Sequence, residues 1–171
     1  MVKVETAIFK SLEKTGPLKA LEDLGLELPP TPKAAGSYKT CVQSGSTLYL
    51  SGHLPLNHDG SLMTGRIGIG AAPVDHGYAA ARQCALNLMA TLQNELGDLT
   101  HVRIVKVFGL VQSMDDFHEQ HKVMNGCSDL LVQVFGKEKG LHVRSAVGTN
   151  ALPLDASVEV EMVVEISSQD E

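Results

Sequence analysis

Leu141-His-Val-Arg144-Ser-Ala-Val-Gly-Thr-Asn150-Ala-Leu-Pro-Leu-Asp155-Ala-Ser-Val-Glu159-Val-Glu161-Met-Val-Val-Glu-Ile166 reads as two strands joined by a turn. In the second strand Val158, Val160, Met162, Val164 and Ile166 fall on one face by period-two alternation. The other face carries Glu159, Glu161, Val163 and Glu165. In the first strand Arg144 sits between Val143 and Val147. A guanidinium fixed near a carboxylate, on the side of a sheet away from its core, can grip a small acid and activate water. The plainer alternative is a structural Arg–Glu pair on a sheet face, and the strand pattern alone leaves both open.

Upstream, Val102 to Val111 reads as a strand with apolar residues on both parities: Val102, Ile104, Phe108 and Leu110 against Val105, Val107 and Val111. Both of its faces are therefore expected to be partly buried. A helix is predicted from about Asp115-Asp116-Phe117 to Gly136, with Met124, Cys127, Leu131 and Val134 on one stripe. A longer helix precedes it, with Asp75 as N-cap, Gly97 as stop and an apolar face of Tyr78, Ala81, Ala85, Leu88 and Leu92. Its alanines allow close approach to a sheet. Tyr38 to Gly52 reads as a hairpin turning at Ser44-Gly45, followed by a Gly-rich loop from His53 to Pro73.

Residues 1 to 28 read as a helical pre-segment, with Ile8, Leu12, Leu18, Leu21, Leu24 and Leu28 as its stripe and a break at Gly16-Pro17. Pro29-Pro30-Thr-Pro32 then forces extended backbone. This divides the chain into an appendage over 1–33 and a single domain over 34–171. The domain order is strand, strand, helix, strand, helix, strand, strand, which is α+β: a sheet of four or more strands with two helices on one face. The uncovered face, with Val105, Val107, Val111 and Val163 beside Glu159 and Glu161, is partly apolar and wants a partner. A homo-oligomer meeting through its sheets follows.

With 171 residues, 43% apolar and 20% charged, the composition is that of one soluble globular domain. No apolar run approaches the ~20 residues that span a bilayer, and the N-terminus has no secretory h-region. Cys41, Cys84 and Cys127 are odd in number and widely spaced, which suits reduced thiols in the cytoplasm. A net charge of −6 argues against a surface built for phosphate backbones, so nucleic acid is not an expected partner.

Other motifs fail on spacing. His118 and His121 are three apart, and Lys122 occupies the position that zincin geometry requires of a histidine. The acids Asp115 and Asp116 are explained by the helix dipole, so no metal site is expected. Gly65-Arg-Ile-Gly68-Ile-Gly70 lacks dinucleotide spacing and reads as a flexible loop. No Ser–His–Asp set stands out, and His53 and His142 read as ordinary surface or hydrogen-bonded histidines.

Ser51-Gly-His-Leu-Pro55, Gly77-Tyr-Ala-Ala-Ala-Arg-Gln-Cys-Ala-Leu-Asn87, Arg144-Ser-Ala-Val147, Leu152-Pro153 and Val158-Glu-Val-Glu161 together resemble the Rid (reactive intermediate deaminase), or YjgF, family, also called the L-PSP endoribonuclease family. The match runs over roughly residues 34 to 166, and the N-terminal segment is similar to that of a longer-chain branch. The resemblance implies a chorismate-mutase-like fold, a homotrimer and ligand clefts between subunits. It also implies cofactor-free hydrolysis of 2-imino or 2-enamino acids to 2-oxo acids and ammonia.

By that resemblance Arg144 holds the substrate carboxylate and Glu159 activates water. Tyr38, Gly52 and Asn125 line the cleft: Tyr38 stands in the family's Gly-Pro-Tyr, Gly52 in its Ser-Gly-Gln, and Asn125 in its second helix. Four positions depart from the family pattern, one being Lys39, which follows Tyr38. Ala146 stands where a cysteine is frequent, Ser37 where proline is, and His53 where glutamine is usual. No thiol chemistry is therefore expected. A non-catalytic small-acid-binding regulatory trimer is the alternative reading, with RNA cleavage and translation inhibition behind it.

Overall fold

A computed structural model describes residues 16–167, which form a five-stranded mixed sheet with two long helices across one face. The strands are β1 (Cys41–Ser44), β2 (Thr47–His53), β3 (Val102–Gln112), β4 (Val143–Thr149) and β5 (Val158–Ile166). Their spatial order is β1-β2-β5-β3-β4, with β3 and β4 parallel and every other pair antiparallel. The helices α2 (Val74–Leu96) and α3 (Gln120–Gly140) cover the sheet, and α1 (Gly16–Asp23) packs beside α3. The α+β expectation holds.

The alternation in β5 is borne out: Val158, Val160, Met162 and Val164 are buried against α2, whose Ala81, Ala85, Leu88 and Leu92 are fully buried. Each fully buried leucine or methionine contributes about 1.5–3 kcal/mol. The two C-terminal strands do not pair with one another, however. β3 lies between them, so β4 forms the sheet's edge and β5 its centre.

The mixed parity of β3 has a single local cause. The register with β5 slips between Ile104 and Lys106, leaving Val105 as a bulge. Val102 and Ile104 face the helices before the bulge; Val107 and Val111 do so after it. Phe108 and Leu110 therefore join Val163 on the uncovered face, and Val107 and Val111 do not, contrary to the sequence reading. That face also carries Val42, Tyr49, Val143 and Val147, all exposed.

Several boundaries move. Asp75 lies in the first turn of α2 while Pro73 is its N-cap; Gly97, at φ 72°, ends it as expected. α3 begins at Gln120, five residues after Asp115, and its helical geometry breaks at Gly136 (φ 74°). The hairpin turns at Gly45-Ser46, one residue later than read. Among the described residues α1 begins at Gly16-Pro17, where the sequence reading places its break, with Gly16 at φ 59°. The helix stops at Asp23, where the Leu26 and Gly25 amides bond the Leu21 and Glu22 carbonyls in a glycine-capped end. The part of the helical reading on residues 1–15 lies outside the described residues. The glycine-rich loop is anchored by Ile67, which is fully buried and bridges to Ala72 and Ser113. No helix among the described residues is long and apolar enough to cross a membrane.

Candidate functional site

Arg144 faces the helices. Its pairing opposite Val107 on β3 puts it on the core side of the edge strand, together with Ala146. The sequence reading had placed it on the uncovered face. The apolar residues of β4 fall on both parities, so only the β3–β4 register decides which way it points.

Three groups on α3 receive the guanidinium. Nη1 donates to Asn125 Oδ1 at 3.1 Å and to Ser128 Oγ at 2.9 Å, and Nη2 donates to the His121 carbonyl at 3.2 Å. These residues stand at i, i+4 and i+7, a polar row along one face of the helix. Every acceptor is neutral, and among the described residues no carboxylate lies within ion-pair distance of Arg144. The charge is therefore held but not compensated. Among the described residues Nε–H and one Nη2 proton have no acceptor and remain for an anion.

Asn125 thus meets Arg144. Ser128 was not singled out by the sequence, and His142, read there as a surface or hydrogen-bonded histidine, is hydrogen-bonded at both ring nitrogens. Ser128 Oγ lies 3.0 Å from His142 Nε2, and His142 Nδ1 lies 2.7 Å from the Gly140 carbonyl. The recoverable signal was the spacing: His142, just before β4, and Arg144 stand at i, i+2 and both reach Ser128 on α3.

Glu159 occupies the uncovered face. It sits opposite Leu110 on β3, with Glu161 opposite Phe108 two residues on. Burial, and then the neighbouring Glu161 carboxylate, raise the Glu159 carboxyl above the ordinary carboxylate range. Gly52 makes room for it: a Cβ built there would lie 1.8 Å from Glu159 Oε1. Gly52 stands at the register slip of β2 between Leu50 and His53. The glycine is thus required by the close approach of the carboxylate.

The structure therefore gathers the sequence-derived residues into two separate places, Arg144 with Asn125 and Glu159 with Gly52. Tyr38 stands apart from both, exposed before β1, its hydroxyl accepting a bond from the Ala35 amide at 3.3 Å. Lys39 beside it lines a shallow depression on the uncovered face with Tyr49, Lys106, Phe108, Glu161 and Val163.

His53 is buried on the helix side, away from the uncovered face. Its Nδ1 lies 2.7 Å from the Ser51 carbonyl and its Nε2 2.8 Å from Thr91 Oγ1. The thiols are chemically quiet. Cys84 and Cys127 are free and fully buried, and burial pushes Cys127 up to about 12.

Comparison with known proteins bears on the fold. The family model described as "YjgF/chorismate mutase-like, putative endoribonuclease" matches residues 19–166, beginning earlier than the resemblance over 34–166. Protein TCP17 of Trypanosoma cruzi is 46% identical over 149 residues, 86% of this chain and 92% of that protein. A 2-iminobutanoate/2-iminopropanoate deaminase of Dermatophagoides farinae is 28% identical over 142 residues, 82% of this chain and 94% of that protein. The crystal structure of the protein Atu1372 from Agrobacterium tumefaciens superposes with a TM-score of 0.81 at 37% identity, covering 88% of this chain and 92% of that one.

Proposed function

This chain belongs to the YjgF/chorismate mutase-like family, and on that premise we propose that it hydrolyses 2-imino and 2-enamino acids to 2-oxo acids and ammonia. The observation that carries the proposal is the state of Arg144: among the described residues it is held by three neutral acceptors, has no carboxylate partner, and keeps N–H groups to spare. A similar protein named as a 2-iminobutanoate/2-iminopropanoate deaminase supports the substrate class.

The chemistry asks little of the protein. Arg144 holds the substrate carboxylate through charge-assisted hydrogen bonds, which places the adjacent C=N carbon. Glu159 takes a proton from water as its oxygen bonds to that carbon and the C=N electron pair moves to nitrogen. The proton on Glu159 then passes to the nitrogen, and as C=O forms the hydroxyl proton, relayed through the freed Glu159 carboxylate, completes the departing ammonia. A positioned carboxylate base contributes about 10²–10⁴-fold to such a step. The raised Glu159 carboxyl suits a group that must both take and return a proton.

Within one chain Arg144 and Glu159 point away from each other. The proposed groove is therefore shared: Arg144 comes from one copy and Glu159 with Gly52 from the next, in a homotrimer that covers the apolar residues of the uncovered face. Tyr38 completes the groove wall. The buried reduced thiols fit a cytoplasmic protein. On the uncovered face acids alternate with Arg103 and Lys106, which favours a small anion over an RNA backbone.

The test generates 2-iminobutanoate in situ with a pyridoxal-dependent dehydratase and follows its decay with and without the protein. Acceleration that Arg144→Ala abolishes supports the proposal. Decay at the buffer rate, or full activity in Arg144→Ala, rejects it. Binding of 2-oxobutanoate that depends on Arg144, without turnover, would establish a small-acid-binding protein instead.

A further inference from the structure

We propose that Ser128 and His142 are positioning residues of the carboxylate clamp: His142 sets the direction of the Ser128 hydroxyl, and that hydroxyl fixes the plane of the Arg144 guanidinium. The inference rests on the reading that Arg144 receives a substrate acid, and it adds two residues that the family resemblance does not supply.

The direction of each bond is determined from one end. The Gly140 carbonyl can only accept, so His142 Nδ1, 2.7 Å away, carries the ring proton. In a neutral imidazole Nε2 is then an acceptor, and its neighbour at 3.0 Å is Ser128 Oγ. The hydroxyl proton therefore points to Nε2. The Oγ lone pairs are left facing Arg144 Nη1 at 2.9 Å, where only an acceptor is useful. Without the ring, the hydroxyl could turn its own proton toward the guanidinium.

The surroundings keep the ring neutral. Burial lowers the proton affinity of His142, the Gly140 bond offsets part of that, and the nearby guanidinium lowers it further. Of the other charged groups of α3, Asp129 accepts a bond from the Tyr78 hydroxyl at 3.0 Å, Lys139 donates to the Thr100 carbonyl at 2.8 Å, and Lys122 pairs with Glu119. With Asn125 Oδ1 and the His121 carbonyl, Ser128 Oγ is the third point that defines the guanidinium plane. A bidentate contact needs that plane fixed before the acid arrives.

The experiment compares the full-length protein with Ser128→Ala, Ser128→Thr, His142→Phe and the Ser128→Ala/His142→Phe pair. Calorimetric titration with 2-oxobutanoate reads the clamp. Loss of a hydrogen bond to a charged group should weaken binding about tenfold in Ser128→Ala and in His142→Phe. The double variant should bind no more weakly than either single one, because both changes remove the same bond. Ser128→Thr keeps the hydroxyl and should restore affinity; in imine hydrolysis the losses should appear in KM more than in kcat.

Additive losses, wild-type affinity in Ser128→Ala, or a folded Ser128→Thr that does not recover would overturn the proposal. Nitrogen-15 spectra of the histidine rings read the relay without any ligand. The His142 Nε2 resonance should be that of an unprotonated, hydrogen-bonded nitrogen, and should move in Ser128→Ala and in Arg144→Ala. An Nε2-protonated ring, or one indifferent to both changes, rejects the relay. If the spectra behave as stated but 2-oxobutanoate binds wild type and Arg144→Ala alike, the carboxylate reading fails and the relay stands as a structural feature.

Discussion

Arg144 and Glu159 lie on opposite faces of one sheet, on strands that β3 separates. Adjacent strands are about 4.8 Å apart, so roughly 10 Å divides β4 from β5 before the side chains diverge. One small acid cannot touch both within a single chain. Arg144→Ala and Glu159→Ala should each be inactive alone. When the two variants are unfolded and refolded together in equal amounts, roughly a quarter of the grooves combine an intact arginine with an intact glutamate. Imine hydrolysis should return to about that fraction of the wild-type rate. No recovery in the mixed sample would show that the site is not shared between copies.

Gly52 is the second pressure point. A methyl group there must push aside the Glu159 carboxylate, whose Oε1 occupies that space. Gly52→Ala should lower kcat by about a hundredfold or more, much as Glu159→Gln does, since both remove the positioned base. Affinity for 2-oxobutanoate should persist, because the arginine corner is untouched. Steady-state kinetics and a binding titration separate the two effects.

The raised Glu159 carboxyl predicts a pH profile. As a base it must be ionised, so the hydrolysis rate should fall as pH drops through its elevated value. Burial is the larger cause and the Glu161 carboxylate the smaller. Glu161→Gln removes the like charge and should shift the acid limb of kcat/KM to lower pH. An unchanged limb would mean that another group controls it.

His53 links stability to pH. The folded protein holds it neutral, burial lowering its proton affinity below the ordinary 6.5. The unfolded chain protonates at the ordinary value. The stabilisation is therefore complete above 6.5 and declines as pH falls below it toward the folded value. His53→Gln should flatten the dependence of the urea midpoint on pH in that range. If wild type shows no slope there, His53 is not buried neutral.

Gly126 holds α3 close to α2. A Cβ there would lie 2.0 Å from the Tyr78 carbonyl oxygen, a backbone atom that cannot step aside. Gly126→Ala should destabilise by about 1–3 kcal/mol, read as a lower urea midpoint. Because α3 also carries His121, Asn125 and Ser128, the same variant should weaken 2-oxobutanoate binding.

Much of the architecture was legible in the residues. The alternation from Val158 to Val164 and the apolar row from Ala81 to Leu92 are periodic over long stretches, and their partners are other apolar surfaces. Such signals are set by side-chain spacing along one element, so they survive without knowledge of the neighbours. The Val105 bulge broke the parity of β3 because one extra residue reverses every side chain beyond it. No residue type announced it.

The chain alone determined which groups could do chemistry: an arginine, a glutamate two residues from another, a glycine, an asparagine. Tertiary structure decided where they point. β4 carries apolar residues on both parities, so its register with β3 chose the face of Arg144. The packing of α3 then brought Asn125, Ser128 and His121 to it, from positions 16 to 23 residues away in sequence. Spacing along an element is written locally; the contact between an edge strand and a helix is a balance over the whole core, and only the folded chain expresses it.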